Sequence, residues 1–178
     1  MSTFQNRVIG AMRLQAGAFE EVEHDTTATT QAALVVVLAS VSSGIAFIWY
    51  GGLSGVVWNA IWALASWVLF ASLVWIIGTK VLPGRRTEAD LGQLLRTLGF
   101  AQAPGLLAFF GIIPLLGWLI WFLVLAWTIA ATVVAARQAL DYEDTLRAAV
   151  AVVLAFVLAM IATSVFALAS GLREVVVR

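Results

Sequence analysis

TLGFAQAPGLLAFFGIIPLLGWLIWFLVLAWTIAATVVAA, residues 97–136, contains no Asp, Glu, Lys, Arg or His. From Phe100 to Ala136 it runs for 37 uncharged residues. One straight helix of that length would measure about 55 Å, and the hydrocarbon core of a bilayer is about 30 Å thick. The stretch therefore needs two spans, broken where Gly111, Pro114 and Gly117 punctuate it. The first of the two is short, about 100–113, with Pro104 as a second candidate break; the other covers about 115–136.

Two further stretches are equally empty of charge, residues 26–79 and 148–172. A charge at mid-bilayer costs several kcal/mol, so such runs are at home in lipid. The longer one divides at Gly51-Gly52 into spans at about 31–50 and 53–77, and the other supplies a fifth span at about 148–170. The expected fold is all-α: a polytopic membrane bundle of five helices, with residues 1–30 before it and a tail at 171–178. The chain of 178 residues is 62% hydrophobic and only 11% charged. A soluble domain of this size has too little interior to hide that much apolar surface. The polar start of the chain lacks the pattern of a cleavable signal peptide, so the first span is expected to act as an uncleaved anchor.

Two segments outside the spans are amphipathic. In residues 3–22, Phe4, Val8, Met12 and Phe19 fall on one side of a helix, with Arg7, Arg13 and Gln15 largely off it. In residues 88–99, Leu91, Leu94, Leu95 and Leu98 form the stripe, and Thr87 with Asp90 resembles a capping box. Both helices are expected at the headgroup level, against lipid or a partner.

Orientation follows from Lys and Arg in the short loops. Arg7, Arg13, Lys80, Arg85, Arg86, Arg96, Arg137 and Arg147 fall on the N-terminal side, and only Arg173 and Arg178 on the other. The N-terminus is therefore expected in the cytoplasm and the C-terminus outside, in what reads as a prokaryotic plasma membrane. Trp49, Tyr50, Trp58, Trp118 and Trp121 then gather at the outer interface, where aromatic belts belong.

The chemistry-bearing residues are few. Gly52-Leu53-Ser54-Gly55 matches the GxSG string of rhomboid-type proteases, but His24, the sole histidine, precedes span one while Ser54 follows it. A nucleophile needs its base within hydrogen-bond reach, so the string reads as a small-residue helix start. Gly51 and Gly55 also make a GxxxG pair suited to close helix contact. His24 with Glu20, Glu21, Glu23 and Asp25 reads as a solvated helix end rather than a metal site, because one histidine lacks a second ligand cluster. With no cysteine in the chain, thiolate metal sites and disulfides are excluded. No cofactor is expected, and the zero net charge gives no field toward nucleic acid. No Asp, Glu, Lys, Arg or His is expected within a span, which weighs against proton-coupled transport.

Span five carries Ala151, Ala155, Ala159, Thr163, Ala167 and Gly171, a small residue at every fourth position. That ridge is expected to pack against a helix of the bundle or of a second copy. Asn59 is expected to make an interhelical hydrogen bond. Arg85, Arg86 and Arg96, with Glu20 and Glu21 at the end of the N-terminal helix, are the candidate lipid or partner contacts.

The run LGQLLRTLGFAQAPGLLAFFGIIPLLGWLIWFLVLAWTIAATVVAARQAL resembles the Yip family, the Ypt/Rab-interacting membrane proteins and their prokaryotic relatives. The likeness rests on Leu94-Leu95 before Gly99-Phe100, then Pro104, the Ile113-Pro114 and Gly117 break, Trp127, and the 137–140 exit; Phe19-Glu20-Glu21-Val22 also fits. The resemblance implies five spans, a cytoplasmic N-terminus and a short outer tail. Eukaryotic members bind Rab-type GTPases and act in vesicle traffic and membrane shaping. Their N-terminal regions are longer than the 30 residues here, which weighs against GTPase binding. The reading is a non-catalytic membrane-organising or partner-binding protein touching the bilayer, a cytoplasmic partner and a second copy of itself. The alternative is a small channel or uncoupled carrier, with the Pro104 and Pro114 segment as its interrupted helix.

Overall fold

The computed structural model describes residues 3–46, 48–85, 87–113 and 115–176. Arg86 and Pro114 lie outside the described residues, as do the side-chain surroundings of Gly51 and Gly171. All regular structure among the described residues is helical: α1 (Phe4–Met12), α2 (Ala16–His24), α3 (Ala28–Ala46), α4 (Ile48–Ile76), α5 (Leu91–Phe100), α6 (Gly117–Ala139) and α7 (Thr145–Val176). A π-helical turn, Ile77–Val81, ends α4, and a 3-10 helix, Ala103–Ile112, follows α5.

Five helical stretches are long and apolar enough to cross a membrane: Ala28–Ile45, Gly52–Val81, Leu91–Ile112, Gly117–Ala139 and Thr145–Leu168. The third joins α5 to the 3-10 helix. Leu94 and Leu98, on the apolar stripe of α5, are completely enclosed. Half of this span (50%) is buried, against 17% of the second and fifth, so it is the centre of the bundle. The amphipathic helix expected at 88–99 therefore runs on into the third span, and its apolar face meets the helices of the bundle. Its start is also different. Asp90 is the N-cap and accepts from the Gln93 amide at 2.9 Å, while Gln93 Oε1 accepts from the Asp90 amide at 2.7 Å. Thr87 instead donates to Leu140 O at 2.8 Å and accepts from the Gly84 amide at 2.9 Å, tying two loops together.

Small residues let these helices approach. A Cβ on Gly99 would fall 2.7 Å from Ala32 Cβ, and one on Gly105 would fall 3.0 Å from Ala39 Cβ. Glycines on the third span therefore admit alanines of α3. Ala131, Ala135 and Ala139 on α6, and Ala148, Ala151 and Ala155 on α7, are buried at helical spacing. Lipid gives apolar helices no hydrophobic reason to associate, so contact area between close backbones holds the bundle. Ser42 adds a polar tie: it donates to Leu106 O at 2.8 Å and accepts from the Phe109 amide at 2.9 Å.

Regular α-helix is interrupted at Gly52, gives way to a 3-10 helix at Ala103, and resumes at Gly117. Gly52 has φ 59° and ψ −166°, a conformation essentially reserved for glycine, within α4, where two helical segments meet at a kink. Pro104 stands in the first turn of the 3-10 helix, where its missing N–H costs nothing. At the second break Leu115 is left-handed at φ 68° and 91% exposed.

Residues 3–22 do not form one helix. The chain reverses at 13–15, with Leu14 at φ 57°, and α1 lies against α2. Gly10 makes the reversal possible, since a Cβ there would fall 2.6 Å from Ala18 Cβ. The hairpin then packs on the bundle. Phe19 and Val22 are buried in the core, Phe4 meets Phe100, and Trp127 Nε1 donates to Met12 O at 2.7 Å.

Candidate functional site

The charged residues collect at one end of the bundle, where α2, the start of α5 and the α6–α7 loop meet. Arg96 secures α2 there. It is 6% exposed, and its Nε donates to Val22 O at 3.0 Å and to Glu23 O at 3.1 Å; Nη2 donates to Glu23 O as well. The last carbonyls of a helix have no partner within it and carry partial negative charge. Arg96 satisfies both needs from another helix. It is therefore not a lipid or partner contact, contrary to expectation.

Arg7 does the same work on the other side. Its guanidinium, 3% exposed, lies 2.6 Å from Asp25 Oδ2 and 3.0 Å from Glu21 Oε1, and donates to Gln31 Oε1 at 3.2 Å. One buried cation thus joins α1, α2, the 25–27 link and α3. Asp25 also accepts from the Thr27 hydroxyl at 2.6 Å and the Thr27 amide at 2.9 Å. These bonds and the Arg7 charge pull its carboxyl down to about 2.

Between α2 and the α6–α7 loop lies a cavity of about 440 Å³, lined by Glu20, Glu23, His24, Arg137, Gln138, Asp141, Tyr142 and Glu143. Glu23 is 5% exposed, and its Oε1 accepts from Gln93 Nε2 at 3.1 Å. Burial, then the facing Asp141 carboxylate, push the Glu23 carboxyl up to about 7; His24 and Arg96 pull against that shift. His24 Nδ1 lies 2.9 Å from Glu20 O, and that bond, followed by the Glu23 charge, raises the imidazole pKa.

The loop across the cavity is rigidly held. Arg137 donates to Tyr142 O and Glu143 O, each at 3.2 Å, and to Thr145 Oγ1 at 3.1 Å. Tyr142 is buried, and its hydroxyl donates to Leu82 O at 2.6 Å; burial raises its pKa. Arg147 donates to Pro83 O at 3.1 Å and sits 5.9 Å from the Tyr142 ring centre. Asp141 turns the chain at φ 51°. A second, smaller cavity of about 120 Å³ opens on the far side of this loop beside Arg85, Asp144 and Arg147.

Of the residues singled out in the sequence, Glu20 lines the first cavity and Arg85 the second, so both stand at this end. Glu21 is engaged by Arg7. Ala151 and Ala155 are buried, Ala159 and Thr163 half-buried, and Ala167 exposed, so the ridge on α7 leaves the bundle as it climbs. Gly55 is a correction: a Cβ there would meet nothing within 4 Å, so no helix packs close at that position of the GxxxG pair. Asn59 donates to Ser40 O at 2.7 Å and Ser43 Oγ at 3.2 Å, the interhelical bond expected of it. Ser54 and His24 remain on separate elements at opposite ends of the bundle, Ser54 in the first turns of α4 and His24 at the end of α2.

Sequence reading singled out Arg7, Arg96 and Glu23 without their bonds, and missed Tyr142. Their partners stand many residues away, so no periodicity marks them. Gly10 and Gly17 inside one amphipathic stretch were the available sign that α1 and α2 separate. No group of three or more metal-ligating side chains occurs among the described residues. What the end offers is polar and charged recognition, and one carboxyl poised to titrate.

A family profile for the Yip1 domain matches residues 10–166, from α1 almost to the end of the described helix α7. Comparison with curated proteins and with solved structures returns no match. With five membrane-crossing stretches and that match over most of its length, the chain belongs to the Yip1-domain family of multi-pass membrane proteins.

Proposed function

We propose that this protein is a non-catalytic membrane-organising or partner-binding protein whose charged end faces the cytoplasm. On this reading residues 1–30, the loop ahead of α5 and the α6–α7 loop meet the cytoplasm, the five spans between residues 31 and 170 cross a prokaryotic plasma membrane, and residues 171–178 emerge outside. The observation that carries the reading is the asymmetry of the molecule. Both cavities, and the exposed Glu20, Arg85, Asp141 and Glu143, lie at one end, on α2 and on loops held by hydrogen bonds between distant parts of the chain. A rigid, charged and concave surface suits recognition. The exposed apolar side chains of the spans, Leu53, Trp58, Trp118 and Phe166 among them, suit lipid.

Transport draws less support. Asn59 and Ser42 spend their bonds on neighbouring backbone and hydroxyl groups. Among the described residues, no buried side-chain polar atom lacks a partner. A solute path would present groups waiting for a ligand.

Photo-crosslinking in cells tests the proposal. A crosslinker at Glu143 should capture a defined protein, and the adduct should weaken when Arg85 is changed to Glu. A crosslinker at Leu115, 91% exposed at the other end, should yield lipid adducts only. Identical adducts from both positions would refute the assignment, and solute flux in proteoliposomes would favour a carrier.

A further inference from the structure

Glu23 occupies an unusual junction. Its carboxyl is 5% exposed, where α2 meets α5 and the α6–α7 loop, and it lines the larger cavity. The groups around it come from each element. Glu20 and His24 share α2; Gln93 and Arg96 come from α5; Arg137, Asp141 and Glu143 come from α6 and its loop. The two arginines are spent elsewhere. Arg96 donates to the carbonyls of Val22 and Glu23, and Arg137 to its own loop. No cation lies within ion-pair distance of Glu23 among the described residues. Only the neutral Gln93 amide is bonded to it, while Asp141 confronts it across the cavity.

The hairpin that carries Glu23 is a single packed unit. It is joined to α3 through the short 25–27 link, and Arg7 ties α1 to α2 within it and donates to Gln31 of α3. Its far end, beyond Met12, is held by the Trp127 bond.

We propose that the α1–α2 hairpin is a pH-gated flap, seated on the bundle while Glu23 is neutral and released when Glu23 ionises against Asp141. The sign follows from the direction in which the site moves the carboxyl, up from 4.5 to about 7. The seated state holds the proton that a freed Glu23 would give up. Its advantage is full below about pH 4.5 and is lost as pH rises through about 7. The transition therefore falls near neutral pH, where a modest change in proton concentration redistributes the two states.

The chain has no cysteine, so spin labels go only where they are placed. Labels at Gln15, on the turn of the hairpin, and at Leu146, exposed at the start of α7, report the distance between flap and bundle. In nanodiscs of uncharged phosphatidylcholine, a single short distance is expected at pH 5, with a second, longer population growing as pH rises to 8. Glu23→Gln should hold the short distance throughout, and Asp141→Asn should shrink the longer population at pH 8, because without the facing charge Glu23 can ionise while the hairpin stays seated. One unchanged distance from pH 5 to 8 in the unsubstituted residues would overturn the proposal. So would a pH response that survives Glu23→Gln.

Discussion

Arg96 shows how a single side chain can set the course of a helix in this protein. It lies on the third span yet spends its donors on the carbonyls that end α2. Removing it strands those acceptors in a buried site, at a cost of about 1–3 kcal/mol each. Arg96→Met, which keeps the length and apolar stem, should therefore lower the thermal stability of the detergent-solubilised protein and speed amide exchange in α2 before α3. Equal exchange in both helices would mean that Arg96 does not anchor the hairpin. Sequence alone placed this residue among surface contacts, for a physical reason: a cation beside a basic loop has the same appearance whether it points to headgroups or to a helix end 73 residues away.

At the scale of elements, alanine and glycine decide which helices touch. Ala151 and Ala155 are buried where α7 packs, whereas Ala167 stands exposed higher on the same ridge. Overpacking a filled interior costs about 1–3 kcal/mol. Ala155→Leu should destabilise the bundle by that order, Ala159→Leu by less, and Ala167→Leu hardly at all within one protomer. If Ala167→Leu instead alters the oligomer on size-exclusion chromatography in mild detergent, the upper ridge packs between copies. The spans were legible because absence of charge is a property of each residue, readable without knowing its neighbours. The partition of the N-terminal segment into α1 and α2 was not. Phe4, Val8, Met12 and Phe19 keep helical spacing whether their apolar face meets lipid or Phe100, and only the close fit of Gly10 on Ala18 separates the two outcomes. Likewise the ladder of α5 was visible in its leucines, but its cap shifted from Thr87 to Asp90 because Thr87 had a better partner in Leu140 O.

At the scale of the whole molecule, the distribution of cations argues for one direction of insertion. Eight of the ten fall on the side of the N-terminus. Two of those eight, Arg7 and Arg96, are buried and bonded within the folded protein, so they act on orientation only before the hairpin closes. The bias survives their subtraction, because Arg13, Lys80, Arg85, Arg86, Arg137 and Arg147 remain against Arg173 and Arg178. Retention of loops by positive charge depends on residues close to the span ends; Arg137 and Arg147 stand in the terminal turns of two spans, and Arg85 in the loop between two others. A phosphatase that is active only outside the cytoplasm, fused after Arg178, should be active. The same enzyme inserted beside Arg85 should be silent. Activity at Arg85 with silence at Arg178 would invert the molecule, and with it the assignment of the charged end to the cytoplasm. Replacing Arg85, Arg137 and Arg147 together by Gln should produce a mixed population, since each removed charge weakens the same preference. A fully retained orientation in that triple variant would show that Arg13, Lys80 and Arg86 suffice to set direction.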